Sequence, residues 1–420
     1  MATTGWVIHG ADAATIAHVN EQTPAGPLAG VKVLELSTVL AGPYCAMVLA
    51  DLGAEVIKVE PLAGDATRGY GPPWVGSGQA RVAAYYLSVN RNKRSLRLDL
   101  RRPEAVEVVM RLISQSNVLV ENFRTGGLEK MGITEARLAQ ANPRLVHLAI
   151  TGYGPDGPDA AKPGYDFIAQ AVGGLMAVTG FTDEEGGHPT KVGVAITDIV
   201  TGLLGAIGIL AALRAGVGQR IDVSLLESTL AMLINQAQNT FVNGSSPERR
   251  GNAHPNIVPY ETFDTADGEI AVAVGSERQW PRLCHALGLD HLAQDDRFAD
   301  NDARVRNRAE LGPLLANRFT SGRSADWLAA LDAADVPSGP VNSVADAFAQ
   351  PQAQARRMDQ VINHPALGPI RQIGLPYKLS QTPASIRSAP PMLGEHSDEI
   401  LAELGYDADA ISAMRRDGVV

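Results

Sequence analysis

Short apolar, β-branched runs alternate with helically spaced ones through the first 150 residues. Val31–Ser37 (VKVLELS) and Glu55–Glu60 (EVIKVE) read as strands. Ala41–Ala54 between them carries helical spacing, so about thirty residues make a strand–helix–strand unit. The pattern repeats. Pro103–Ser116 opens on a proline, as helices favour, and leads into the strand Asn117–Asn122. Thr134–Asn142 is helical and precedes the strand Arg144–Ile150. Continuously apolar strands joined by helices predict an α/β fold with a doubly wound parallel sheet.

Further on, helical spacing runs from Ile199 to Leu213, Gln219–Leu225 (QRIDVSL) is a short strand, and Leu225–Val242 predicts one long helix. The loop NGSSPERRGNAHPN marks a domain boundary. Beyond it, alternating strands around Asp267-Gly268 predict a hairpin. ERQWPRLCHALGL and NRAELGPLLANRFTS predict helices, and this smaller α+β region ends near Asp346. From Gln350 to Pro391 the chain is rich in Pro, Gln and Ser with weak strands, and a final helix follows LGEHSDEILAELGY.

Length and composition set the frame. A chain of 420 residues, 45% hydrophobic and 20% charged, holds two or three globular domains. A net charge of −10 argues against nucleic acid and anionic membrane as partners. It leaves room for an anionic ligand held by a local cluster of Arg and Lys. Cys45 and Cys284, the two cysteines, form neither a disulfide framework nor a CxxC pair, which fits a reducing, cytoplasmic location. The first 30 residues lack the basic and apolar regions of a signal peptide. The apolar stretch around Ile196–Leu213 is too interrupted by Asp198 and glycines for a clean membrane span.

Two features invite a chemical reading. Gly152, Gly154 and Gly157 form a G-x-G-x-x-G after a predicted strand, but Pro155, Pro158 and Pro163 break the helix that a nicotinamide site needs. A rigid, turn-rich loop at a strand end is expected instead. The second feature is Asp198, alone in the apolar run VGVAITDIVTG. It is either a helix N-cap or a nucleophile.

Eight stretches in order resemble the class III CoA-transferases, the family of formyl-CoA transferase, carnitine-CoA transferase and α-methylacyl-CoA racemase. They are GVKVLELSTVLAGPYCAMVLADLGAEVIKVEP, GDATRGYGPP, NRNKRSLRLDLRRPEA, VLVENFRTGGLEKMG, NPRLVHLAITGYGPDGP, PGYDFIAQAVGG, RRGNAHPNIVPYETFDTADG and PPMLGEHSDEIL. The resemblance spans residues 27 to 420. It implies a Rossmann-like large domain that binds CoA, residues 28–245, after an N-terminal extension, 1–27. A small α+β domain (252–346), a return linker (347–390) and a C-terminal segment that rejoins the large domain (391–420) complete the chain. Two chains are expected to interlock as rings in a homodimer.

The resemblance also assigns residues. The family's nucleophilic aspartate falls on Asp198, with Asp166 as an auxiliary carboxylate. CoA binding falls on Val39, Leu40, Ala41, Leu98, Arg101, Asn122, Phe123, Arg124, Lys130 and Tyr165. Racemases carry His where this chain has Tyr165, a poor base at neutral pH with a pKa of about 10, so a transferase is favoured over a racemase; a non-catalytic acyl-CoA-binding protein is the alternative from another class, and it predicts tight acyl-CoA binding with no trapped intermediate. An Arg that contacts phosphate in some members is here Pro61; Arg68, Arg91, Lys93, Arg94 and Arg101 are candidates to compensate. Gly173-Gly174 is a candidate oxyanion donor pair. Arg249, Arg250 and His254 are candidates for a substrate's distal carboxylate. The implied substrates are acyl-CoA and small carboxylic acids, without metal or NAD, and a carboxylate of normal pKa is expected to serve as the nucleophile.

Overall fold

A computed structural model describes residues 26–420; the expected extension up to residue 25 lies outside them. The six parallel strands of the main sheet are β1 (Lys32–Leu36), β2 (Glu55–Glu60), β3 (Lys93–Arg97), β4 (Val118–Glu121), β5 (Val146–Thr151) and β6 (Gln219–Ser224). They lie in the order β3-β2-β1-β4-β5-β6, with registers such as Val33 opposite Val56 and Leu34 opposite Leu119. This is the doubly wound order of dinucleotide-binding sheets.

Helices cover both faces. α1 (Ala41–Asp51) and α5 (Ile196–Ala215) pack on one face, burying Cys45, Leu49, Leu148 and Ile209. α2 (Pro103–Gln115), α3 (Glu135–Ala141) and the C-terminal residues Ile400, Leu401, Ile411 and Val420 fill the other. α5 is long and apolar enough to cross a membrane, yet one side of it belongs to this core. A Cβ on Gly202 would come within 2.6 Å of the Ala41 carbonyl, so α5 and α1 approach backbone to backbone. The C-terminal residues also add backbone bonds: Asp99 N–H donates to Val419 O at 2.9 Å and His396 N–H to Ser95 O at 3.1 Å.

Strand β3 carries no apolar signature in KRSLR. It is nevertheless buried, because Lys93 meets Glu35 at 2.9 Å and Ser95 donates to Glu60 at 2.6 Å. Buried charges survive when paired and hydrogen-bonded. The weak strands after residue 350 form an antiparallel hairpin, Asp359–His364 with Gly368–Ile373. The single long helix expected from Leu225 is broken: α6 (Leu225–Met232) ends before a second helix, Ile234–Asn243. Ile234 has φ 35° at the break.

The chain forms two compact units. The first comprises residues through Gly173 with Gly193–Met232 and Pro351–Val420. The second comprises Gly174–Val192 and Leu233–Gln350. Its core packs Phe263, Trp280, Phe298, Phe319 and Trp327 around the expected hairpin, Tyr260–Asp264 with Glu269–Ala273. The third strand of that sheet, Ser338–Pro340, pairs with Glu269–Ala273.

Candidate active site

The strand order reverses between β1 and β4, and ligands of open parallel sheets bind at the carboxyl ends of strands at such a point. A cavity of about 200 Å³ opens there. Thr38–Ala41 after β1, Asn122–Thr125 after β4, Ile150–Gly152 at the end of β5, and Tyr165, Asp198 and Leu225 line it. A groove of about 910 Å³ shares Thr38 and Phe123 with this cavity and runs over Pro61, Leu98, Arg101 and Lys130. All ten residues expected to bind CoA border one or both of these spaces.

Asp198 is the third residue of α5, and its carboxylate faces the smaller cavity. Among the described residues, none donates a hydrogen bond to that carboxylate or pairs with it. Burial, and secondarily the nearby charge of Asp166, push its pKa up to about 7. These two effects outweigh the helix dipole, which on its own favours a carboxylate at this end. The expectation of a normal carboxylate pKa is therefore corrected.

The helix-cap role belongs elsewhere. Ala195 occupies the N-cap position of α5 and offers no side-chain acceptor. Asp166, the first residue of the helix Asp166–Val172 (α4), supplies it from outside. Its Oδ1 accepts from Thr197 N–H at 2.9 Å and Asp198 N–H at 3.4 Å. Its Oδ2 accepts from Gln170 at 2.8 Å. Asp166 does not line the cavity; it fixes the turn that carries Asp198 and sets the local charge. Tyr165, just before it, is 61% exposed and borders the cavity. Tyr85, which no motif marked, packs with Leu40, Ala195 and Ile199. Burial and the charges of Asp198 and Asp166 hold its phenol above the usual pKa.

The exit of β1 is held tightly. Asn122 stitches it to β4, accepting from Thr38 N–H at 2.9 Å and donating to Thr38 O at 2.8 Å. Its side chain is thus committed to the protein backbone rather than free for a ligand. Val39 has φ 68°, a left-handed conformation that β-branched residues rarely adopt. Helix α1 begins two residues later with no side-chain cap, and Pro43 has no N–H, so the Ala41 and Gly42 N–H groups of its first turn take no side-chain partner, with Ala41 on the cavity wall.

Most of the cations proposed to offset Pro61 are already engaged. Arg68 is bidentate on Glu60 at 2.7 Å and touches Tyr86 Oη. Arg91 is buried against Asp51, and Lys93 against Glu35. Arg94 pairs with Glu399 and Glu403 and borders a different cavity, at the other end of the strands. Arg101 alone of the five is open on the groove; its side chain is 87% exposed and, among the described residues, pairs with Asp99 alone. Arg101→Ala is expected to raise KM for the acyl-CoA about tenfold and flatten its salt dependence, with kcat nearly unchanged. Steady-state kinetics at two salt concentrations would check this.

Two glycine motifs have structural roles here. The G-x-G-x-x-G loop has no helix at its start: α4 begins only at Asp166. A Cβ on Gly152 would lie 2.5 Å from Gly164 Cα, so the loop closes on itself at the cavity wall. Gly173 does not line the cavity. Its N–H is spent on Ala169 O at 2.8 Å, and a Cβ would strike Thr229 at 2.5 Å. It is a packing glycine, which removes it as an oxyanion donor. In the second unit, Arg249 donates to Phe181 O and pairs with Asp183. Arg250 is exposed with a loose contact to Glu248 at 3.8 Å. His254 stacks obliquely on Tyr260.

The doubly wound sheet, with a cavity at its switch point holding an unpaired carboxylate, defines an α/β protein equipped for covalent chemistry on a bound ligand. The chain belongs to CoA-transferase family III, whose sequence pattern matches residues 28–397, and it is a class III CoA-transferase. It is 44% identical over 385 residues to a succinate–glutarate CoA-transferase of Agrobacterium fabrum, covering 90% of this chain and 96% of the relative. It is 41% identical over 400 residues to the human succinyl-CoA:glutarate CoA-transferase, covering 94% and 90%. A solved CAIB/BAIF family protein from Brucella suis superposes with a TM-score of 0.80 at 44% identity, covering 90% of this chain and all of that one.

Proposed function

We propose that this enzyme moves CoA from succinyl-CoA, or another dicarboxylyl-CoA, to a dicarboxylic acid such as glutarate, with Asp198 as the covalent carrier. The carrying observation is the Asp198 carboxylate: largely buried, without a cation or donor among the described residues, at the wall of the switch-point cavity. The dicarboxylate preference is supported by relatives named for succinyl-CoA with glutarate and with mesaconate.

The steps balance without proton or ATP. The Asp198 carboxylate attacks the donor thioester carbonyl and expels CoA thiolate, leaving a mixed anhydride. The thiolate attacks the aspartyl carbonyl of that anhydride, and the donor acid leaves. Asp198 now carries CoA as a thioester. The acceptor carboxylate attacks this thioester and expels the thiolate, which then attacks the acceptor's acyl carbon and restores Asp198. A carboxylate poorly hydrated in its resting state is a better nucleophile than one in water. Proximity supplies much of the remainder. Developing oxyanions fall to the uncapped N-terminus of α1, where Ala41 borders the cavity. The groove over Leu98, Phe123, Arg101 and Lys130 has the apolar floor and cationic rim that a nucleotide-bearing thiol ester requires. Neither metal nor NAD takes part in the scheme.

The working enzyme in this reading is an interlocked homodimer in the cytoplasm. Exposed apolar side chains on α4 (Phe167, Ile168, Val172) and α5 (Leu203, Leu204, Ile207) support a second copy covering that face. Two free, buried cysteines fit a reducing compartment. The test is initial-rate kinetics with succinyl-CoA and a panel of mono- and dicarboxylic acceptors. Parallel double-reciprocal lines and a kcat/KM for glutarate at least about tenfold above that for butyrate are expected. Intersecting lines, or a preference for monocarboxylates, would sink the reading.

A further inference from the structure

The motif GDATRG takes no part in the scheme above, although its Asp65 lies at the foot of the cavity wall. Asp65 is 2% exposed, and both of its oxygens are used. Oδ1 accepts from Thr67 N–H at 2.9 Å, Thr67 Oγ1 at 2.7 Å and, at 3.4 Å, Val39 N–H. Oδ2 faces the Lys58 ammonium at 3.0 Å. Lys58 is wholly buried: its ammonium donates to Glu35 Oε1 at 2.8 Å and Ser37 O at 2.8 Å, and it forms an ion pair with Asp65 at 3.0 Å. The Lys58–Asp65 pair therefore grips β1's exit at two points, the Ser37 carbonyl and the Val39 N–H. Between them Asn122 holds both backbone groups of Thr38.

The gripped segment is the one that needs holding. Val39 has φ 68°, where a β-branched residue is strained. Such a conformation persists only where the surroundings over-determine it. Its release would let residues 38–40 relax toward ordinary extended or helical backbone, which moves the cavity wall and re-aims the start of α1.

We propose that Asp65, backed by Lys58, is a positioning residue for CoA transfer that holds Val39 left-handed so that β1's exit and the first turn of α1 face the thioester carbonyl. This rests on the covalent-transfer reading of the same cavity. It also accounts for why a buried charged pair sits beside the site, where an apolar pair of equal volume would be no less stable.

The test is a double-mutant cycle. Asp65→Asn keeps the volume but has one acceptor oxygen where Asp65 uses two, so either Lys58 or the Val39 and Thr67 N–H groups face an NH₂. Val39→Gly removes the strain, since glycine takes φ near 68° freely. The two single variants, the double variant and the wild type are compared in kcat and in Kd for CoA by calorimetry. Asp65→Asn is expected to lower kcat at least about tenfold in the wild-type background and less than about threefold in the Val39→Gly background. An equal loss in both backgrounds, or no loss in either, overturns the proposal. Melting temperatures of all four proteins separate misfolding from mispositioning: a merely structural role lowers Tm equally in both backgrounds without the rescue of kcat. Should the wild type itself fail to turn over the chosen acid pair, the substrate reading fails. The cycle in CoA Kd then still decides the positioning claim by the same comparison: non-additive loss supports it and additive loss overturns it.

Discussion

Replacing Asp198 with Asn is expected to lower CoA transfer at least about ten-thousand-fold while making the protein more stable at pH 8. The loss follows from removing the only group that becomes covalently bonded in the scheme. The gain follows from the pKa. Asp198 titrates near 7 in the folded chain and near 3.9 when unfolded. Between these values the unfolded chain has lost the proton and the folded chain keeps it. Stability from this group is therefore full below about pH 4, declines as pH rises, and is lost above about pH 7. A rise from about 4 to about 7 sets an upper bound of about 4 kcal/mol on the cost of ionising it in place. Asparagine avoids that cost. A rise of a few degrees in apparent Tm at pH 8, shrinking through pH 5 to nothing below about pH 4, is the expected calorimetric result. A lower Tm at pH 8 would mean that the carboxylate is stabilising and its ionisation is not penalised.

The second large effect concerns Asp166, and two substitutions separate its roles. Wild-type kcat/KM is expected to fall about tenfold from pH 8 to pH 6 through one ionisation, because only the Asp198 carboxylate attacks. Asp166→Asn keeps an oxygen for the Thr197 and Asp198 N–H groups but removes the neighbouring negative charge. The acid limb then moves to lower pH. Asp166→Ala removes the cap as well, costs about 1 kcal/mol of stability and lowers kcat across the whole range. pH–rate profiles of the three proteins check this. A profile for Asp166→Asn with an unmoved acid limb would show that the charge of Asp166 is not felt at Asp198.

The parallel sheet and its helices were legible because β1, β2, β4 and β5 are mostly apolar, β-branched runs and their helices keep a helical period. Strand β3 was not, since KRSLR hides its burial behind charges that are satisfied only by residues far along the chain, such as Glu35 and Glu60. The cavity was legible from the resemblance rather than from spacing: Thr38, Asn122 and Asp198 meet only when the parallel sheet has closed. Sequence left Asp198 between a cap and a nucleophile, whereas the fold gives the cap to Asp166. Asp166 reaches the start of α5 from another helix, a contact that local pattern cannot encode. Nor does sequence tell which arginines are free. Arg68, Arg91 and Arg101 look alike in the chain, and only the partners in space distinguish the two buried pairs from the cation open on the groove.

The central claim is that Asp198 carries CoA. Intact-mass analysis after incubation with succinyl-CoA, followed by hydroxylamine and peptide mapping, tests it most directly. The account predicts a CoA adduct on the wild type that hydroxylamine removes, leaving a hydroxamate on Asp198, and no adduct on Asp198→Asn. Succinyl-CoA binding without any adduct, or a hydroxamate on a residue other than Asp198, would contradict it.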